Sequence, residues 1–356
     1  MLGLLALKAS ASVVETNASL TLLASGLHFT EGPAADAAGN VFFSDIPGDT
    51  ICKWSVANQL FVFRTNSGGA NGLYFDAAGN LLACEGDNGR IVSISPQLNV
   101  TVLASNYAGL RFNEPNDLWI DPAGGVYFTD PVYFGHAVVQ GGEYVYYLKP
   151  DRSSVLRVVT DMVRPNGLVG TPDGKTLYLA DWGATNVFRY SINSNGTLTN
   201  KTLFARVKCD GMTLDAEGNL YFCESAVLVY DSSGQKTEQI NVPTRPTNVE
   251  FGGSDRKTLF ITTDSGSLYS IRMRVQGVTN RITTTPPLLG GVIWTNGLLQ
   301  FSISGATGLN YVVQASTNLV GWSNIFSTNL TVSPLLWADS NTPSYLKRFY
   351  RVFITQ

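Results

Sequence analysis

Along the first three quarters of the chain, short runs of Leu, Val, Phe and Tyr alternate with polar clusters centred on Gly. Runs of four to six residues bounded by Gly, Asn and Asp predict β-strands joined by tight turns, not helices. The pattern also repeats. Glu31-Gly-Pro-Ala-Ala-Asp-Ala-Ala-Gly-Asn-Val-Phe-Phe-Ser-Asp45 is echoed from Asn71, Asn116, Asn166, Asp210 and, more loosely, Thr247. Successive starts lie 40, 45, 50, 44 and 37 residues apart. Each copy reads as strand, Gly turn, strand, followed by two more short strands such as those over 50–55 and 60–64. Four strands per repeat of roughly 40–50 residues is the period of a propeller blade. The fold class predicted is all-β, a six-bladed β-propeller over residues 19–275. The segment 19–25 resembles the strand that precedes every later copy and has no earlier blade to join, so it is expected to become the outer strand of the sixth.

The periodicity changes after residue 275. Residues 276–291 form a Thr/Pro/Gly-rich linker, and residues 292–356 return to period-two alternation without the repeat, predicting a small C-terminal β-sandwich. Residues 1–18 read as an N-terminal extension. Their apolar start and small residues suit a truncated export signal that lacks a basic leader, which makes an exported protein, periplasmic or secreted, the expectation, with a cytoplasmic one as the alternative.

Composition narrows the chemistry. Lys and Arg number 24 against 27 Asp and Glu, a net charge of −3, so no basic excess exists to neutralise nucleic-acid phosphates. No apolar run is long enough to span a membrane as a helix. Only two His are present, His28 and His136, and no G-x-S-x-G elbow occurs, which argues against a His-rich zinc site and a Ser-His-Asp hydrolase. Cys52, Cys84, Cys209 and Cys223 form no C-x-x-C pair and read as small buried residues.

The first residues of the six copies, Glu31, Asn71, Asn116, Asn166, Asp210 and Thr247, with Asn248 beside the last, are placed by the repeat at the mouth of a central channel. Two readings stand. Asn and Asp cap turns and begin strands for that reason alone. Alternatively, carboxylates and carboxamides converging on one axis call for a positive charge among them, and oxygen donors suit a divalent cation. Glu31, whose longer side chain is a poor turn cap, favours the second.

The motifs Thr30-Glu-Gly-Pro33, Arg111-Phe-Asn-Glu-Pro-Asn-Asp117, Arg164-Pro-Asn-Gly-Leu168, Cys209-Asp-Gly-Met-Thr-Leu-Asp-Ala-Glu-Gly-Asn219 and Pro246-Thr-Asn-Val-Glu-Phe-Gly-Gly253 resemble, in this order, the SMP-30/gluconolactonase family that includes regucalcin. The resemblance covers about residues 19–275. It implies a six-bladed propeller with one divalent metal in the channel that hydrolyses lactones of sugar acids. It further implies metal ligands at Glu31, Asn166 and Asp210, proton transfer by Asp210, and substrate held by Arg111, Asn116 and Asp117. The cation expected is Ca²⁺, with Zn²⁺, Mn²⁺ and Mg²⁺ as alternatives. This chain departs from the bacterial pattern at Glu114, where a small polar residue is usual, and Arg111 could be spent in a salt bridge to it.

The expected chemistry is metal-assisted ester hydrolysis of a small-molecule lactone. A carboxylate bound to a cation is a weak base, which makes Asp117 the alternative to Asp210. The longest repeat carries an insertion at 130–143 with Tyr133, Phe134 and His136, the expected lid. Two rival functions remain: a related propeller hydrolase acting on organophosphates or other lactones, and a non-catalytic binding propeller whose C-terminal domain contacts a protein or surface partner.

Overall fold

The computed structural model describes residues 12–133, 137–278, 288–295, 297–305 and 310–355. Phe134 and His136 of the expected lid, residues 1–11 and most of the expected linker therefore lie outside the described residues. The chain divides into two compact units, residues 1–280 and 281–356. It is all-β, and the sole helical element among the described residues is a single 3₁₀ turn at Thr342–Ser344.

Among the described residues the first unit contains six four-stranded antiparallel sheets. Sheet 1 runs in chain order through Thr30–Ala35, Val41–Asp45, Thr50–Trp54 and Leu60–Thr65. The first strands of sheets 2 to 6 are Ala70–Phe75, Leu118–Ile120, Pro165–Gly170, Met212–Leu214 and Pro246–Gly252. Sheet 6 takes its fourth strand from the N-terminal segment: Thr21–Ala24 pairs antiparallel with Leu268–Arg272.

Why these segments become sheets is visible in the turn between the first two strands. Asp36 accepts at Oδ1 from the backbone N–H of Ala38 and Asn40, and Gly39 adopts φ +91° between them. A left-handed residue closing a short hairpin costs Gly nothing and suits the twist of the flanking strands. The same Asp-to-Asn loop recurs at Asp76–Asn80 and Asp215–Asn219. The second strands of sheets 1, 2, 3 and 5 are then buried throughout, as in Val41–Asp45, Leu81–Glu85 and Val126–Asp130, while outer strands such as Leu60–Thr65 are mostly exposed. Strands covered on both faces read as continuous apolar runs for this reason.

The sheets pack face to face in sequence. Phe42 and Ile51 of sheet 1 share a core with Leu73, Leu81 and Val92 of sheet 2, and Leu82 and Ile91 share one with Leu118, Phe128 and Tyr146 of sheet 3. The order returns on itself, because Val41, Phe43 and Cys52 of sheet 1 pack with Phe260 and Leu268 of sheet 6. All four cysteines are free and buried, as their spacing suggested.

Among the described residues the second unit holds two three-stranded sheets. One runs Leu288–Thr295, Leu298–Ser304, Leu335–Asp339, and the other has Asn310–Ser316 between Ser323–Asn329 and Phe349–Thr355. Phe301 and Ile303 from the first meet Tyr311 and Val313 from the second in one buried cluster.

Candidate active site

In four of the six repeats the opening residue sits where the first strand is irregular. Pairing between the first and second strands slips between Glu31 and Ala34, between Ala70 and Leu73, between Pro165 and Leu168, and between Pro246 and Val249. A bulge re-aims the side chain it carries. The glycines that follow the opening residues also stitch neighbouring sheets together. The N–H of Gly72 donates to the Asn116 carbonyl at 2.7 Å, that of Gly167 to the Asp210 carbonyl at 3.0 Å, and that of Gly211 to the Thr247 carbonyl at 2.7 Å. Such close approach leaves no room for a side chain: a Cβ on Gly32 would lie 2.1 Å from the Asn71 carbonyl oxygen, and one on Gly167 2.3 Å from that of Asp210.

Glycine follows the opening residue in four repeats. In sheets 3 and 6 the position holds Asp117 and Asn248, and their side chains occupy space that neighbouring glycines leave open. A Cβ on Gly72 would lie 2.6 Å from Asp117 Oδ1, and one on Gly211 would lie 2.0 Å from Asn248 Cγ. Asp117 and Asn248 hydrogen-bond each other, and Asn248 also bonds Glu31.

The structure thus brings Glu31, Asp117, Asn166, Asp210 and Asn248 together, all buried. Asn166 Nδ2 lies 2.7 Å from Asp210 Oδ1 and 2.7 Å from the Tyr133 hydroxyl. Asp210 Oδ2 accepts from Arg245 Nη1 at 2.6 Å, and Arg245 Nε reaches Asp264 at 3.3 Å. Asn116 is buried at the neighbouring position, lining a small cleft with Asn71, Glu114 and Tyr133. Arg111 is placed differently from the cluster: its guanidinium donates to the backbone carbonyls of Phe112, Asp87 and Asn113, at 3.0, 3.2 and 3.2 Å. Glu114 instead accepts from the Tyr133 N–H through Oε2 at 2.8 Å.

Arg245 escaped the sequence reading, which followed the residues that open each repeat and stopped there. A signal existed: Arg245-Pro246 stands before its opening residue as Arg164-Pro165 does before Asn166.

Electrostatics sharpen the picture. Burial, and then the field of Asp210, hold Glu31 well above the usual carboxylate range. Burial pushes Asp117 up to about 7, against the hydrogen bonds from Leu118 and Asn248. Burial also raises Asp210, although the Arg245 guanidinium and Asn166 amide pull it back. Among the described residues, three buried carboxylates are thus offset at salt-bridge distance by one cation, on Asp210 alone, an arrangement that a bound cation would relieve.

The donor set fits a hard divalent cation. Glu31 and Asp210 offer carboxylate oxygens, and half a turn of the Asn166 carboxamide brings its oxygen to the position 2.7 Å from Asp210 Oδ1. No trio of Asp, Glu, His or Cys side chains gathers at metal-holding distance among the described residues. The candidate set is two carboxylates and one carboxamide, which such a trio does not include.

The buried acids make a stability prediction. Asp117 and Glu250 are raised to about 7 and Asp130 to about 8, each chiefly by burial. Between the unfolded carboxylate value near ~4 and these folded values, the folded chain binds more protons than the unfolded one. Stability is therefore greatest at the acid end of that window and falls as pH rises through 7 to 8. Melting temperature in EDTA is expected to drop steadily from pH 5 to pH 8; a rise over that range would contradict the assignment.

Comparison with known proteins decides the family. Residues 29–265 match the SMP-30/Gluconolactonase/LRE-like region. The chain belongs to this family. Within the SMP-30/gluconolactonase family it is 29% identical over 301 residues to a gluconolactonase of Zymomonas mobilis, an alignment covering 74% of this chain and 83% of the relative. It is 26% identical to regucalcin of Oryctolagus cuniculus, covering 68% of this chain and 85% of that protein. The solved structure of a Xanthomonas campestris gluconolactonase superposes with TM-score 0.68 at 29% identity, covering 73% of this chain and 91% of that one. No helix among the described residues is long and apolar enough to cross a membrane.

Proposed function

We propose that this chain is a divalent-metal-dependent hydrolase that opens lactones of sugar acids. In this reading the six sheets are the blades of a six-bladed propeller, closed by Thr21–Ala24, and the second unit is a β-sandwich. Family membership and the gluconolactonase relatives support the reaction. The single observation that carries the site is the convergence of buried Glu31, Asn166, Asp117 and Asp210 on one point.

Glu31, Asn166 and Asp210 would hold the cation through oxygen, Ca²⁺ being first choice by donor hardness. Bound there, it supplies Lewis-acid polarisation of an ester carbonyl and acidifies a water molecule. The chain's own groups do the rest. Arg245 holds one oxygen of Asp210, so its carboxylate is oriented before substrate arrives, while Asn166 would turn its own oxygen to the cation. Asp210 takes a proton from the attacking water and passes it to the ring oxygen as the acyl C–O bond breaks, leaving a hydroxy acid. Asp117, titrating at about 7, is the neighbouring group able to exchange a proton at neutral pH. Burial and the Asp210 charge keep the Tyr133 phenol protonated, so its hydroxyl remains a donor beside Asn166.

Base uptake by glucono-δ-lactone in a pH-stat tests the proposal. Turnover is expected to vanish after EDTA treatment and to return with Ca²⁺ or another divalent ion. Hydrolysis equal to the spontaneous rate with Ca²⁺, Mn²⁺, Mg²⁺ and Zn²⁺ alike would refute it.

A further inference from the structure

The second unit has a charge balance of its own. Residues 281–356 carry Arg281, Lys347, Arg348 and Arg351 against one acid, Asp339, a net charge of +3 in a chain whose total is −3, which leaves −6 on residues 1–280. Asp339 is buried and already engaged: Arg348 Nη1 lies 2.7 Å from its Oδ2, and the Tyr350 hydroxyl donates to the same oxygen at 2.9 Å. Arg351 and Lys347 thus keep their charges uncompensated, since neither has a carboxylate at salt-bridge distance among the described residues.

Arg351 belongs to a built surface. In the sheet of Asn310–Ser316, Ser323–Asn329 and Phe349–Thr355, Tyr311 and Val313 point into the buried cluster, so Gln314, the next residue along, faces away from it. Gln314 stands in register with Arg351 on one side and Asn324 on the other. The three side chains are linked across the strands: Arg351 Nε donates to Gln314 Oε1 at 2.8 Å, and Gln314 Nε2 donates to Asn324 Oδ1 at 2.8 Å. The guanidinium also lies 4.2 Å from the centroid of the Trp322 ring. Held by Gln314 and the indole, it has its two terminal nitrogens without a hydrogen-bond partner among the described residues. Two residues along the same strand, Phe349 is half-buried on the same face, with the Lys347 ammonium 5.4 Å from its ring centroid.

We propose that this face binds an acidic polysaccharide, with Arg351 taking a uronate carboxylate through its two terminal nitrogens. A guanidinium whose plane is already fixed pairs with a carboxylate through two parallel N–H bonds at little further loss of freedom. The amides of Gln314 and Asn324 beside it supply donors and acceptors of the kind that sugar hydroxyls need, and the rings of Trp322 and Phe349 bring apolar contact to the faces of the sugar. Other polyanions fit less well. A lipid surface would ask for apolar side chains to enter it where Gln314 and Asn324 stand, and a nucleic acid would ask for more cations than this unit carries.

The test measures binding of the full chain to immobilised polygalacturonate and to its methyl ester, the same polymer with its charge removed. Wild type is expected to bind the free acid at least about tenfold tighter than the ester, and to bind it less tightly in about 0.5 M salt. Arg351→Gln should raise Kd about tenfold and Lys347→Gln about threefold, while Lys236→Gln, the same loss of charge from the first unit, leaves it unchanged. Equal binding of acid and ester, no binding of either, or an Arg351→Gln variant that binds as wild type does overturns the proposal. So does an equal loss in Lys236→Gln, or vesicles of anionic phospholipid bound as tightly as the polymer, since either would mean that charge alone is read. Should Arg351→Gln fail to fold, as judged by its melting transition, Lys347→Gln decides: unchanged binding dismisses the face, and weakened binding sustains it.

Discussion

Asp210→Asn is expected to lower kcat for lactone opening by about 10³-fold while the chain stays folded, the span that loss of a positioned proton-transfer group produces. The carboxylate has two firm partners, Asn166 Nδ2 at 2.7 Å and Arg245 Nη1 at 2.6 Å. An asparagine keeps the shape but offers one oxygen where two accept, and its NH₂ then faces a donor. Asn166 relieves one such conflict by turning its own carboxamide, so the backbone has no reason to move. Loss of one carboxylate also eases repulsion with Glu31. Far-UV circular dichroism should match wild type, and the melting temperature should not fall by more than a few degrees. A variant with near wild-type turnover would end the case for Asp210 as the proton carrier.

Gly32→Ala is expected to be among the most damaging single-methyl changes in the first unit. Gly32 sits at φ +50°, where a side chain is disfavoured, and its Cβ would lie 2.1 Å from the Asn71 carbonyl oxygen and 2.6 Å from the Gly72 Cα. Both obstacles are backbone, so no rotamer change relieves them. Strain at the positive φ and overpacking together cost about 3 kcal/mol. The displaced segment also carries Glu31, whose Oε2 accepts from the Gly32 N–H at 2.9 Å. Urea unfolding should therefore show a lowered midpoint, and activity measured well below that midpoint should fall too. Unchanged stability would mean that sheets 1 and 2 do not meet as described.

The repeat was legible because its grammar is local. Asp, Gly and Asn in Asp36–Asn40 each have a job within the same five residues, so the turn and its two strands can be read without knowing what lies beside them. The opening residues were legible too, since a period carries Glu31, Asn166 and Asp210 to equivalent places. What could not be read was anything set by side-chain direction between repeats. Arg111, in a motif with Asn116 and Asp117, turns onto the carbonyls of its own loop and of Asp87, satisfying groups that nothing in the motif announces. Arg245 lies outside the opening positions yet provides the cluster's salt bridge. Asp117 and Asn248 meet across the space left by Gly72 and Gly211, a pairing 131 residues apart along the chain.

The sixth sheet has a temporal consequence. Its outer strand, Thr21–Ala24, pairs with Leu268–Arg272, and just upstream Val14 bridges Met273 while Val13 lies in the core formed by sheets 5 and 6. A chain emerging from the ribosome presents these residues some 250 residues ahead of their partners. At synthesis rates of about 5–20 residues per second, the segment waits for tens of seconds as an unpaired strand. During that interval sheets 1 to 5 have their own strands at hand, whereas the sixth does not. The first unit therefore acquires its final seam only once Leu268–Arg272 has been made, and until then Thr21–Ala24 stays open to capture by a chaperone.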